Sequence, residues 1–215
     1  MSIDLTLDEQ EKLNQFKAKW YKYGNFLLTV LLIIAAVAVA YQWWEHKKSQ
    51  QSAEAASMYA AIQSMQQAKQ PSAVISLADA LMKQTPTSPY ASRAALIAAA
   101  ANVDQHHTPQ AQTDLQWVLD HSQESGMQSI ARLHLAGILL DQHRAADAIK
   151  LLDAPHDESD ADQYSDLKGD ALTILGQRAA ARAAYQIALE KLPADQPYRQ
   201  IIEVKLNAIV GVAAK

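Results

Sequence analysis

The chain contains no cysteine, which removes disulfides, thiolate nucleophiles and Cys-based zinc sites together. Glycine and proline are sparse, six and seven in 215 residues, and phenylalanine occurs twice. Alternating runs of Val, Ile and Thr that would mark strands are missing. A basic excess is missing too: 19 Lys and Arg against 23 Asp and Glu leave a net charge of −4. That balance offers no surface for phosphate backbones, so no nucleic-acid partner is expected. The motifs G-x-S-x-G and H-E-x-x-H, a P-loop and a Gly-rich nucleotide loop do not occur. No catalytic residue, cofactor or metal-ligand set is therefore expected.

What is present is apolar and helix-forming. Hydrophobic residues make up 49% of the chain, mostly Ala and Leu, which lose little on entering a helix. The first consequence is a span from Gly24 to Trp44 with no charged residue, whose centre runs from Phe26 to Ile34 and then through Ala and Val to Ala40. About 21 residues at roughly 1.5 Å each reach on the order of 30 Å, the thickness of bilayer hydrocarbon. Trp20, Tyr21 and Tyr23 precede the span and Tyr41, Trp43 and Trp44 close it, as aromatic belts at two membrane interfaces would. A core helix of a soluble protein is seldom apolar all round for this length. Ala38-Val39-Ala40 has the small-residue form of a signal-peptidase site, but a long preceding segment with Asp4, Asp8, Glu9 and Glu11 argues for a retained anchor. Lys12, Lys17, Lys19 and Lys22 lie before the span and only Lys47 and Lys48 closely after it. The expected orientation places residues 1–23 in the cytoplasm, 24–44 in the membrane and 45–215 on the far side, which in a bacterium is the periplasm. Leu5, Leu7, Leu13 and Phe16 among the charges of the tail leave room for a short amphipathic helix at the membrane surface.

Beyond the anchor, helical periodicity is interrupted at Gln70-Pro71, Thr85 to Pro89, His106 to Pro109, Ser122 to Gly126, Asp153 to Asp160, Gly176 and Pro193 to Pro197. The expected helix pairs are 53–86, 89–121, 127–155 and 160–193, followed by a capping helix over 197–213. The last pair carries Gly169, Leu172, a turn at Gly176, then Ala181, Tyr185, Ala188-Leu189 and Leu192-Pro193. This pattern resembles the tetratricopeptide repeat, with Ser165 standing where that repeat prefers Trp and Lys168 where it prefers Leu. The same frame laid on the earlier chain selects Ala61, Ala99, Ala136 and Gly169 on the first helices. Twelve residues later it selects Ala73, Ala111, Ala148 and Ala181, and four further on Leu77, Leu115, Leu152 and Tyr185. A small residue lets two backbones approach, and a large one a turn later fills the groove. The competing reading is an Ala-rich helical bundle without a repeat.

The fold class expected is thus all-α: a single transmembrane helix followed by a tetratricopeptide-like helical-hairpin solenoid. Such arrays bind on a concave surface supplied mainly by the first helix of each pair, and Arg93, Asn102, Arg132, Leu139 and Lys168 are the candidate partner-binding residues. His106-His107 reads as a surface pair in a loop and His134 as a packed or solvated side chain. The acids Asp157, Glu158, Asp160 and Asp162 read as a solvated loop favouring a helix N-terminus, with Ser159 as its cap.

The order of anchor, stalk and repeat domain resembles the YfgM-like family of ancillary SecYEG translocon subunits. The Ser52-Ala53 to Tyr59-Ala60-Ala61 helix, Tyr90-Ala91, Ala131-Arg132-Leu133-His134-Leu135-Ala136 and Gly169-Asp170-Ala171-Leu172 to Tyr185 carry the likeness. The resemblance implies a non-enzymatic protein of the cell inner membrane beside the SecYEG translocon. It would be paired with an anchored periplasmic chaperone of the PpiD type and would assist newly exported polypeptides. A scaffold for cell division or envelope assembly would share every feature except the partner.

Overall fold

Helix α1 (Leu7–Gln67) contains the whole uncharged span. The computed structural model describes residues 7–211, and side chains in that range except those of 7–10, 12–16, 18–19, 27, 210 and 211. The amphipathic arrangement expected of Leu5, Leu7, Leu13 and Phe16 lies outside the described residues, as do the last two residues of the expected 197–213 helix. The chain divides into two units, residues 1–53 and 54–215.

In the first unit, the large apolar side chains described between Trp20 and Trp44 are exposed, Tyr21 at 89% and Leu32 at 70%. No protein core covers them, and keeping such surface in water is unfavourable by about 25 cal/mol per Å². By length and composition this helix can cross a membrane. At its far end Lys47 lies over the Trp43 ring at 5.4 Å and Lys48 over Trp44 at 5.8 Å. Each ammonium thus sits one turn beyond a ring suited to the interface.

In the second unit the last turns of α1 are followed by α2 (Pro71–Gln84), α3 (Pro89–Asp104), α4 (Thr108–His121), α5 (Ser125–Asp141), α6 (Ala145–Leu152), α7 (Ala161–Ile174), α8 (Arg178–Lys191) and α9 (Tyr198–Gly211). No strand occurs among the described residues. Helices α2, α3 and α4 begin with Pro in their first turn, where the missing N–H costs nothing.

Each pair turns in the same way. Lys69, His106, His143 and Gly176 all have left-handed backbone, with φ of 53°, 59°, 59° and 73°. At each, the N–H of that residue closes on the carbonyl three residues back and the next N–H on the carbonyl five back: His106 to Val103 and His107 to Asn102, His143 to Leu140 and Arg144 to Leu139. This satisfies the orphan carbonyls of the first helix and reverses the chain tightly. Only the fourth turn uses glycine, so the other three carry a steric cost of about 1 kcal/mol each.

The turns also set the repeat frame. Counted from them, the second, third and fourth pairs place Ala99 with Leu115, Ala136 with Leu152, and Gly169 with Tyr185 at equivalent buried positions. In the first pair the equivalent residues are Ile62, Val74 and Ala78, all at most 2% exposed, whereas Ala61 is exposed and Ala73 and Leu77 are half-buried. The expected frame is therefore one residue out there. The first helix offers Ala60 and Ala61 just before Ile62, so a rule seeking a small residue slipped by one position, about 100° around the helix. The corrected series is complementary in volume: large with small in the first pair, small with large in the others. Gly169 is the extreme case, because a Cβ there would fall 2.6 Å from Cδ1 and 2.8 Å from Cζ of Tyr185.

Successive pairs stack. The first helices α3 and α5 touch, as do α5 and α7. One buried cluster joins Ala55 and Ile62 to α2 and α3, a second runs from Met82 through α4, α5 and α6 to Ala171, and a third places Ile202 and Ile209 of α9 on α7 and α8. Gly169→Ala is expected to lose about 1–3 kcal/mol through overpacking, despite the better helix propensity of Ala. Adding Tyr185→Leu recreates the Ala and Leu combination of the middle pairs. Denaturant unfolding should then show a favourable coupling of about 1 kcal/mol or more between the two changes; simple additivity would contradict the volume-matching account.

Candidate functional site

Once each first helix has buried one stripe against its pair mate, what remains exposed on the side where α3, α5 and α7 meet decides what the array can hold. Helix α3 contributes Leu96, Ala99, Ala100 and Val103, the i, i+3, i+4, i+7 set of one helical face. Helix α5 contributes Ile130, Leu133, His134, Gly137, Ile138 and Asp141 at the same spacing, and α7 adds Asp162, Gln163, Asp166 and Leu167. The turn between α8 and α9 closes one end with Leu192, Pro193, Gln196 and Tyr198. These residues enclose a groove of about 830 Å³. Its lining is mainly apolar, and Val103 and Tyr198 are each more than 40% exposed.

The Tyr198 end is braced by a partly buried polar network. Asp166, only 3% exposed, accepts both from the Lys205 Nζ at 2.9 Å and from the Tyr198 hydroxyl at 2.7 Å. Lys205 also donates to Asp170 at 2.8 Å, and the Tyr185 hydroxyl donates to the other oxygen of Asp170 at 2.7 Å. Burial works against the Lys205 ammonium, but the hydrogen bonds and charges of Asp170 and Asp166 outweigh it and hold its pKa above the ordinary value. Burial, then the hydrogen bond to Asp166, raises the Tyr198 phenol. A closed network of this kind fixes geometry, since removing one member strands the others.

None of the five candidate residues lines the groove. Arg93 reaches across to Glu124 in a two-pronged ion pair at 2.9 and 3.0 Å, tying α3 to the turn before α5. Asn102 is 3% exposed and donates to Asp114 at 2.7 Å, bridging α3 and α4. Arg132 donates to the Pro155 carbonyl and to Gln128. Leu139 is buried in the central cluster and borders a separate shallow depression between α4 and α6 beside Trp117. Lys168 pairs with Asp153 at 2.5 Å. All five lie on the same first helices as the groove but on other faces: Arg132 is two residues from Ile130, a rotation of about 200°. The signal in the sequence is a second apolar set, Leu96, Ala100 and Val103, flanking the buried Ala99 on α3.

His134 is solvated and lies on the groove wall. The acidic loop serves as a staple. Asp157 accepts from Ser125 at 3.0 Å, Asp160 accepts from Ser129, and Glu158 pairs with Lys191. Neither the short 3-10 turn Glu158–Asp160 nor α7 has a side-chain cap, so Ser159 does not take the expected role.

Set against known proteins, residues 17–211 match the profile of a family described as a tetratricopeptide repeat-like domain. An ancillary SecYEG translocon subunit of Neisseria gonorrhoeae is 31% identical over 204 residues, 94% of this chain and 98% of the relative. One of the same name from Haemophilus influenzae is 23% identical over 203 residues with the same coverage. The chain belongs to the YfgM-like family of tetratricopeptide repeat-like proteins. The family match runs through both the apolar helix and the groove.

Asp114 gives this member of the YfgM-like family a pH signature. Burial chiefly, with Asp79 nearby, outweighs the Asn102 hydrogen bond and raises its pKa from 3.8 to about 6. The folded state then holds a proton that the unfolded state releases, so this group's ionisation costs stability as pH rises from 3.8 through about 6. Asp114→Asn should gain hydrogen-exchange protection in α3 and α4, relative to the parent, on going from pH about 4.5 to about 7.5. A pH-independent difference would contradict a buried, titrating Asp114.

Proposed function

We propose that this protein is a membrane-anchored, non-enzymatic interaction scaffold that sits beside the SecYEG translocon in the cell inner membrane. Residues 24–44 form the anchor, 1–23 lie in the cytoplasm, and the helical domain faces the periplasm. There it pairs with an anchored chaperone of the PpiD type and assists newly exported polypeptides. The observation that carries this reading is 31% identity spread over nearly the full length of both this chain and a relative named as an ancillary SecYEG translocon subunit. Anchor and repeat domain are thus retained as one unit.

The physical features favour the same role. A helix with apolar side chains on all sides holds the domain at the bilayer and raises its local concentration for other membrane-bound partners. The excess of Lys before the span over Lys47 and Lys48 after it favours a cytoplasmic N-terminus. A stack of helix pairs with an open, mainly apolar groove suits holding a chain.

Crosslinking in native membranes, followed by mass spectrometry, should recover translocon subunits together with an anchored chaperone. A phosphatase fused after Lys215 should be active only in the periplasm. Recovery of division or envelope-assembly proteins in place of the translocon would instead support a scaffold for those complexes, and a cytoplasmic fusion would reverse the topology.

A further inference from the structure

The groove is apolar in its walls and acidic in its charge. Its charged lining residues are Asp141, Asp162 and Asp166, with no Lys or Arg among them. Asp166 is already engaged by Lys205 and Tyr198. The carboxylates of Asp141 and Asp162 have no hydrogen bond or ion pair among the described residues; Asp162 lies at the Ser129 end of the groove, and Asp141 lies one turn from Gly137 with its charge open to a ligand. Gly137 lies in the same lining, and a Cβ built there would meet nothing within 4 Å. With the exposed Ala100 across from it on α3, it leaves room for an incoming side chain.

We propose that this groove binds a flexible segment of another polypeptide that presents an apolar side chain next to Lys or Arg. The apolar side chain fills the space beside Gly137 and Ala100, and the cation meets Asp141, one turn along α5 from Gly137. Two other chemistries are disfavoured. An acidic segment would bring like charges together as water leaves. A purely apolar one would cover the Asp141 carboxylate without pairing it, which is costly. Lys and Arg also suit the site because their aliphatic stems pack on apolar walls while the head reaches a carboxylate. The proposal rests on the scaffold reading in taking a polypeptide as the ligand, and it holds whichever protein supplies the segment.

The test is fluorescence anisotropy with the full-length protein in nanodiscs of zwitterionic lipid, with empty nanodiscs as blank. The probes are short labelled peptides carrying Leu beside Lys, Leu beside Glu, or Lys without Leu, in an otherwise Ser and Gly background. The Leu and Lys peptide is expected to bind about tenfold tighter than either other peptide, and more weakly as salt rises. Asp141→Asn should reduce that affinity by about tenfold and flatten the salt dependence. Gly137→Leu should abolish binding while hydrogen exchange in α5 stays as protected as in the parent, which separates filling of the groove from unfolding. Equal binding of the Lys and Glu peptides, or unchanged binding by a folded Gly137→Leu protein, would overturn the proposal. If the peptide fails to bind while translocon crosslinks persist, the groove assignment falls and the scaffold reading stands. If the peptide binds while those crosslinks are absent, the groove assignment stands and the translocon reading falls.

Discussion

The architecture depends on one contact made four times: a buried residue on the first helix of each pair matched in volume to one on the second. The left-handed turn at Lys69, His106, His143 and Gly176 brings these residues into register, and volume matching decides how closely the helices approach. Ile62 with Ala78, Ala99 with Leu115, Ala136 with Leu152 and Gly169 with Tyr185 are four solutions to the same space. Because the identities trade size across the pair, the repeat is conserved in geometry while the letters change.

From that contact the functional surface follows. When one stripe of α3, α5 and α7 is committed to the pair interface and another to the neighbouring pair, the remaining stripe lines the groove. The polar elements then fix its edges. The Asp166, Asp170, Tyr185, Tyr198 and Lys205 network holds α9 against α7 and sets one end. The Asp157 to Asp160 loop ties the third and fourth pairs together through Ser125, Ser129 and Lys191. Residues that look like surface charge in the sequence are here joints between helices.

The long apolar helix was legible because its signal is a sum over many residues: no charge from Gly24 to Trp44 and aromatic rings at both ends. The helix pairs were legible for the same reason, punctuated by Pro and Gly and periodic in between. Positions that depend on rotation about a helix were harder. A single-residue slip moves a side chain by about 100°, enough to select Ala61 in place of Ile62 and to separate Arg132 and Leu139 from the face of α5 that lines the groove. Ala abundance hid the phase, since Ala is tolerated on every face. Three of the turns also lack a marker residue, because Lys69, His106 and His143 adopt a backbone that glycine would announce. The roles of Asn102, Arg93 and Lys168 depended on partners distant in sequence, Asp114, Glu124 and Asp153.

The central claim is that the array works as a tethered scaffold through the concave side of α3 and α5. Photo-crosslinking side chains placed singly at Val103, Ile130 and Ile187, comparably exposed at 46%, 38% and 46%, would test it in native membranes. Val103 and Ile130 lie in the groove and Ile187 lies on α8 outside it. The account predicts polypeptide adducts from Val103 and Ile130 and few from Ile187. Adducts confined to Ile187, or equal at all three positions, would contradict it.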